Sequence, residues 1–203
     1  MWSIVKGYFI LCGIILMESI LLVGLQNEII RYAGRQEDIY RNMQNQIEAV
    51  GEDMVCFPIP KAYRKDISYE DTYGASRVQG MHQGCDLMDL HNNAGQIPIV
   101  SATDGVITNL GWLYLGGYRI GVTSERGIYY YYAHLDSYAV GIAVGKEVCA
   151  GELLGFMGNT GEGEEKTMGK MPVHLHFAIY IREESGNEES VNSYEFLQKL
   201  DER

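Results

Sequence analysis

The chain is 203 residues long, with 16 basic against 27 acidic residues and a formal net charge of −11. That length suits one domain plus additional segments. The acidic balance, with no clustered basic footprint, argues against nucleic acid as a partner, and the short acidic stretches "GEGEE" and "NEES" read as solvated loops.

Residues 7–25, "GYFILCGIILMESILLVGL", are almost wholly apolar, with Glu18 the one charge. As a helix they span about 28 Å, close to the hydrocarbon thickness of a bilayer. No small-x-small cleavage site follows, and Cys12 is preceded by Leu11 rather than a small residue, so neither signal removal nor lipoprotein processing is expected. The expectation is a stub over 1–6 and a single-pass, uncleaved membrane anchor over 7–25. Glu18 is costly in a lone span and points to a partner helix or a shorter effective span. Charge does not set the orientation, because Lys6 lies on one side and Arg31, Arg35 and Arg41 on the other.

In residues 26–50 the apolar positions Ile39, Met43, Ile47 and Val50 fall at helical spacing without a proline. They predict a helical stalk over 26–55, open to self-association. Pro58 and Pro60 in "CFPIP" end it, and residues 56–203 form the remaining domain.

From about residue 75 short β-type runs are punctuated by glycine. "PIVSATDGVITNLGW" predicts strand, turn at Asp104-Gly105, strand; "YRIGVTSERGIYYYYAHL" predicts a hairpin turning at "SERG". "GKEVCAGELLGFMGNTG" predicts a tight turn between short buried strands. No helix is expected between 75 and 185, and "VNSYEFLQKL" predicts a short terminal helix capped by Asn192 or Ser193. The cysteines Cys12, Cys56, Cys85 and Cys149 fit no zinc-ribbon or CxxC pattern. A Cys56–Cys149 disulfide is open outside the cell but not expected.

Chemistry gathers at the histidines, of which there are five. In "VHLHFAIY", residues 173–180, strand alternation sends Val173, Leu175, Phe177 and Ile179 into a core and His174 and His176 to the other face. Two imidazoles side by side suit a metal site, an acid/base pair or both. In "MHQGCDLM" an extended strand puts His82 and Asp86 on one face, with Gly84 leaving space between them and Cys85 turned into the core. In "YYYYAHLD", alternation places Tyr130, Tyr132 and His134 together, opposite Tyr129, Tyr131 and Ala133. A His, an Asp and a further His make a three-ligand set suited to zinc with one coordination position open, the pattern of a catalytic site. His91 matches no motif and reads as an exposed loop residue.

HxxxD (His82, Asp86), a later YAHL (His134) and HLHF (His174, His176), in that order, resemble the lysostaphin/LytM-type zinc endopeptidases of bacterial cell walls. The resemblance runs from about residue 75 to 181, with "SATDGVIT" and "VGKEVCAGELLGFMGNTG" also similar. It implies a mostly β fold, a small antiparallel β sandwich of the barrel-sandwich type, with zinc held by His82, Asp86 and His176. His134 and His174 are implied as base or oxyanion stabilisers, and the peptide part of peptidoglycan as substrate. The domain is then expected outside the cytoplasm. The lead-in "EGEEKTMGKMPV" is longer and more polar than the family's usual approach to HLH, and Tyr73 receives no role. The alternative implied by other relatives, among them a forespore membrane protein of sporulating bacteria, is a non-hydrolytic scaffold or wall-binding protein.

Overall fold

The computed structural model describes residues 2–78, 80–182, 186 and 188–202, with side chains from residue 16 onward. Its contacts divide the chain into Met1–Asn45 and Gln46–Arg203. One backbone helix, α1 (Trp2–Asp53), runs through the expected anchor and stalk without interruption. Pairs one turn apart support it, such as Arg31 with Glu28 at 3.1 Å and Arg41 with Asp38 at 3.7 Å. Among the described residues no helix is long and apolar enough to cross a membrane. The side chains of residues 7–15, the first part of the expected anchor, lie outside that description.

In the second unit the last turns of α1 carry Val50, whose side chain is buried, and Met54 follows directly. They join Phe57 and Ile59 in the hydrophobic core, so residues first read as the end of a stalk seed the β domain. A 3-10 turn over Lys61–Asp66 leads into the strands. These are β1 (Ile67–Ser68), β2 (Ser76–Arg77), β3 (Gly80–Met81), β4 (Cys85–Asp89), β5 (Pro98–Val100) and β6 (Gly105–Leu113). β7 (Gly117–Thr123), β8 (Tyr129–Tyr138), β9 (Glu147–Val148), β10 (Leu153–Met157), β11 (His174–Arg182) and β12 (Glu188–Val191) follow, then α2 (Tyr194–Asp201).

The main sheet runs β1-β4-β11-β8-β7-β6-β9, with β10 bridging β5 and β8, and β12 added to β11; β2 and β3 form a separate hairpin. The pairings are antiparallel, and ten strands join in one branched hydrogen-bonded network. The mostly β antiparallel domain is therefore as expected. The sandwich itself is not resolved as two separate sheets, because β10 hydrogen-bonds to both β5 and β8. The hairpin at Ser124–Gly127 and the absence of helix between 75 and 185 hold among the described residues. α2 begins beside Asn192, whose Oδ1 accepts the Tyr194 N–H at 3.0 Å. Cys56, Cys85 and Cys149 are free thiols, so no Cys56–Cys149 bond forms.

Alternation along β11 fixes which face meets the core. Val173 is 1% exposed, and Leu175, Phe177 and Ile179 are fully buried. Tyr130 and Tyr132 come from β8 to pack on Phe177, with ring centroids 6.4 and 5.3 Å away. Phe177→Ala empties the centre of this cluster and is expected to cost about 3–5 kcal/mol. Urea denaturation of the domain measures it.

Candidate metal centre

β11 sits between β4 and β8, and its register places His176 directly opposite Asp86 on one side and Ala133 on the other. Directly opposed strand residues bring their side chains within contact distance, and His176 Nδ1 lies 2.9 Å from Asp86 Oδ1. His82 arrives differently from the sequence expectation. β3 ends at Met81 and β4 begins at Cys85, so His82 stands outside a strand. Its backbone is held instead by Ala75 and Gly74, through His82 N–H to the Ala75 carbonyl at 2.9 Å and Gly74 N–H to the His82 carbonyl at 2.8 Å. His82 Nε2 then reaches Asp86 Oδ1 and His176 Nδ1, both at 3.0 Å. Gly84 serves this approach. A Cβ there would lie 2.6 Å from the Phe177 carbonyl oxygen and 2.8 Å from His176 Cε1, so the space left by glycine is taken by the HLH strand itself.

The three donor atoms form a triangle with edges of 2.9, 3.0 and 3.0 Å. A tetrahedral zinc set with bonds of 2.0–2.2 Å has ligand–ligand edges of about 3.3–3.6 Å. A small expansion of the triangle would admit an ion. Behind the ring, His82 Nδ1 meets the Thr72 hydroxyl at 3.0 Å and the Thr72 carbonyl at 3.1 Å. Backbone carbonyls commonly orient metal-ligating histidines in this way.

His134 and His174 stand beside this set. Their ring centroids are 4.6 Å apart, and His174 Nε2 is 3.9 Å from Asp86 Oδ1. Strict alternation would have turned His134 to the buried face of Tyr130 and Tyr132. A bulge prevents it: between paired ends, the single β7 residue Arg119 faces two of β8, Ala133 and His134. His134 takes φ +62° within it and faces the groove with Tyr131 and Ala133. Bulges re-aim side chains in this way, often beside active sites. His134 Nδ1–H donates to the Thr160 carbonyl and His174 Nδ1–H to the Pro172 carbonyl, both at 2.8 Å, leaving each Nε2 as an acceptor.

Burial, then the neighbouring His174, lowers the His134 pKa to about 3, against the opposing Thr160 hydrogen bond. Burial also lowers that of His174, against the opposing Asp86 charge. Both rings are thus held neutral. At Asp86 burial pushes the carboxyl up, but hydrogen bonds from His176 and His82 outweigh it and hold it well below the usual carboxylate range. Cys85 is turned into the core as expected; burial, then Asp86 and Asp71, push its thiol up to about 12, so it stays protonated and outside the donor set. His91 is exposed and pairs with Asp66 at 3.2 Å, away from the cluster.

The site opens into a groove of about 670 Å³ whose walls include Arg77, Met81, Leu115, Tyr131, Glu162 and Tyr180. Sequence reasoning did not find Arg77, Thr72 or Thr160. The carbonyl partners carry no side-chain signature, and Arg77 lies outside every motif. Among the described residues, His82, Asp86 and His176 are the group placed to hold a metal ion.

An antiparallel β domain with a His–Asp–His donor set in an open groove has the form of a metal-binding site on a β scaffold. The sequence profile of Peptidase family M23 matches residues 80–192, more than half of the chain, and the chain belongs to that family. It is 38% identical over 128 residues to the L-Ala–D-Glu endopeptidase of Bacillus subtilis (strain 168), across 62% of this chain and 37% of that protein. With lysostaphin of Staphylococcus simulans it shares 34% identity over 117 residues, across 57% of this chain and 21% of the relative. The chain therefore matches well under half the length of these two relatives. A crystal structure from Ruminococcus gnavus ATCC 29149, bearing the name of a glycyl-glycine endopeptidase lytM, aligns with TM-score 0.72 and 43% identity. That alignment covers 82% of this chain and 71% of the other.

Proposed function

We propose that the chain is a zinc-dependent endopeptidase that hydrolyses peptide bonds of bacterial peptidoglycan. The observation that carries this reading is the convergence of His82 Nε2, Asp86 Oδ1 and His176 Nδ1 within 3.0 Å of one another. Two imidazole nitrogens and a carboxylate oxygen suit zinc. Zinc bound by them supplies Lewis-acid polarisation of the scissile carbonyl. His134 and His174 complete the chemistry from the side. Each keeps its proton on Nδ1, so either Nε2 can take a proton from an attacking water and pass it to the departing amine. The groove can take the peptide across them, between walls that include Tyr131 and Tyr180, whose rings meet edge to face.

A cell-wall substrate calls for a position outside the cytoplasmic membrane. The proposed tether is residues 7–25, a reading that rests on their apolar sequence alone. Peptidoglycan as the partner is supported by the resemblance to cell-wall endopeptidases, and self-association through α1 by its exposed apolar side chains such as Ile29 and Ile30.

Incubation of purified cell walls with the zinc-loaded protein is expected to release peptide fragments with new amino termini, identified by mass spectrometry. A chelator stops the release and added zinc restores it. Release that persists at full rate after zinc removal contradicts the reading. Tight wall binding with zinc in place and no cleavage would support the scaffold alternative.

A further inference from the structure

Arg77 stands at the edge of the metal centre, bonded to its carboxylate but outside the donor set. It lies on β2, paired with Gly80 of β3, and its side chain is 50% exposed on the groove wall. Nη2 donates to Asp86 Oδ2 at 2.7 Å. The other carboxylate oxygen, Oδ1, faces His82 and His176. A guanidinium has five N–H donors in a planar fork, so one bond to Asp86 leaves an edge of Arg77 open towards the groove. Outside the histidine and aspartate cluster, the charged residues among the described groove walls are Arg77 and Glu162. Arg77 is thus the fixed cation available to a bound peptide, in a chain whose net charge of −11 disfavours anions elsewhere.

Resting on the peptidoglycan endopeptidase reading, we propose that Arg77 is a specificity residue that binds the carboxylate of an acidic residue flanking the scissile bond. The substrate class is then an acidic stem peptide rather than a glycine bridge. An L-Ala–D-Glu bond places a free carboxylate within one residue of the reacting carbonyl, whereas a Gly–Gly bond offers no side-chain anion. The planar fork matches a carboxylate in two-point geometry, which an ammonium cannot reproduce.

The test compares three peptides with the zinc-loaded full chain: a stem peptide with Glu at that position, the same peptide with the free carboxylate amidated, and pentaglycine. The wild type is expected to favour the acid over the amide by about 10- to 100-fold in kcat/KM, chiefly through KM. Arg77→Ala removes the preference by slowing the acid peptide alone, with zinc content unchanged, and Arg77→Lys recovers part of it. Equal cleavage of acid and amide by the wild type overturns the proposal. So does an Arg77→Ala variant that keeps the preference, or one that loses zinc and slows both peptides equally. Preference for pentaglycine leaves the endopeptidase reading standing and overturns the acidic substrate class. If calorimetry shows acid-selective binding lost in Arg77→Ala while no peptide is cleaved, the hydrolase reading fails and the Arg77 assignment stands.

Discussion

Asp86→Ala is expected to abolish stoichiometric zinc binding and to lower peptide hydrolysis by about a thousandfold or more. Asp86 Oδ1 is the atom that the other ligands share, at 3.0 Å from His82 Nε2 and 2.9 Å from His176 Nδ1. Its removal leaves two imidazole nitrogens with no anion between them and frees Arg77, whose positive charge then opposes a divalent ion. His176→Ala should behave alike, because it removes the donor that faces both other ligands. Metal content after dialysis, read beside product release, measures the effect. Circular dichroism shows whether the fold survives, which it should, since Asp86 and His176 belong to the groove face rather than to the core. Full zinc retention by either variant would remove the ligand assignment.

His134→Ala and His174→Ala are expected to do the opposite with respect to metal. Neither ring belongs to the donor triangle, so zinc content stays near that of the wild type. Turnover falls by about 10²- to 10⁴-fold, the range for loss of a positioned acid/base group. His174 carries the stronger expectation of the two, because its Nε2 lies 3.9 Å from Asp86 Oδ1 and beside the reacting position. Single-turnover rates with saturating substrate separate this loss from weaker binding. Unchanged turnover in both variants would leave the two histidines as packing residues.

Much of this site could be read from residue types and spacing, because its main strand obeys simple alternation. β11 sends Leu175 and Phe177 inward and His174 and His176 to the groove, as period two requires. Asp86 and His176 meet because their strands pair in register, and Cys85 turns away for the same reason. Alternation failed where the backbone departed from regular geometry. His134 was assigned the face of Tyr130 and Tyr132, and only the bulge at φ +62° brings it to the groove. His82 was placed on a continuous strand with Asp86, whereas the chain leaves the sheet between Met81 and Cys85. In both cases the histidine still reaches the site, because a backbone hydrogen bond outside the regular ladder holds it: His134 N–H donates to the Gly116 carbonyl at 2.7 Å within the bulge of β8, and His82 N–H to the Ala75 carbonyl at 2.9 Å. Backbone partners carry no sequence signature, so Thr72, Thr160 and Pro172 were invisible before the fold was known. The end of α1 is ambiguous in sequence for a related reason. Helical spacing at Ile47 and Val50 marks an apolar face, but not whether that face meets another helix or the β core on which it packs.

The account rests on three atoms from separate segments holding one ion. Anomalous diffraction at the zinc edge, from crystals of the zinc-loaded protein, tests it most directly. A single strong peak is predicted, bonded to His82 Nε2, Asp86 Oδ1 and His176 Nδ1, with His134 and His174 near it but not bonded to it. A peak bound elsewhere, or none at these three atoms in a protein that cleaves cell walls, would contradict the account.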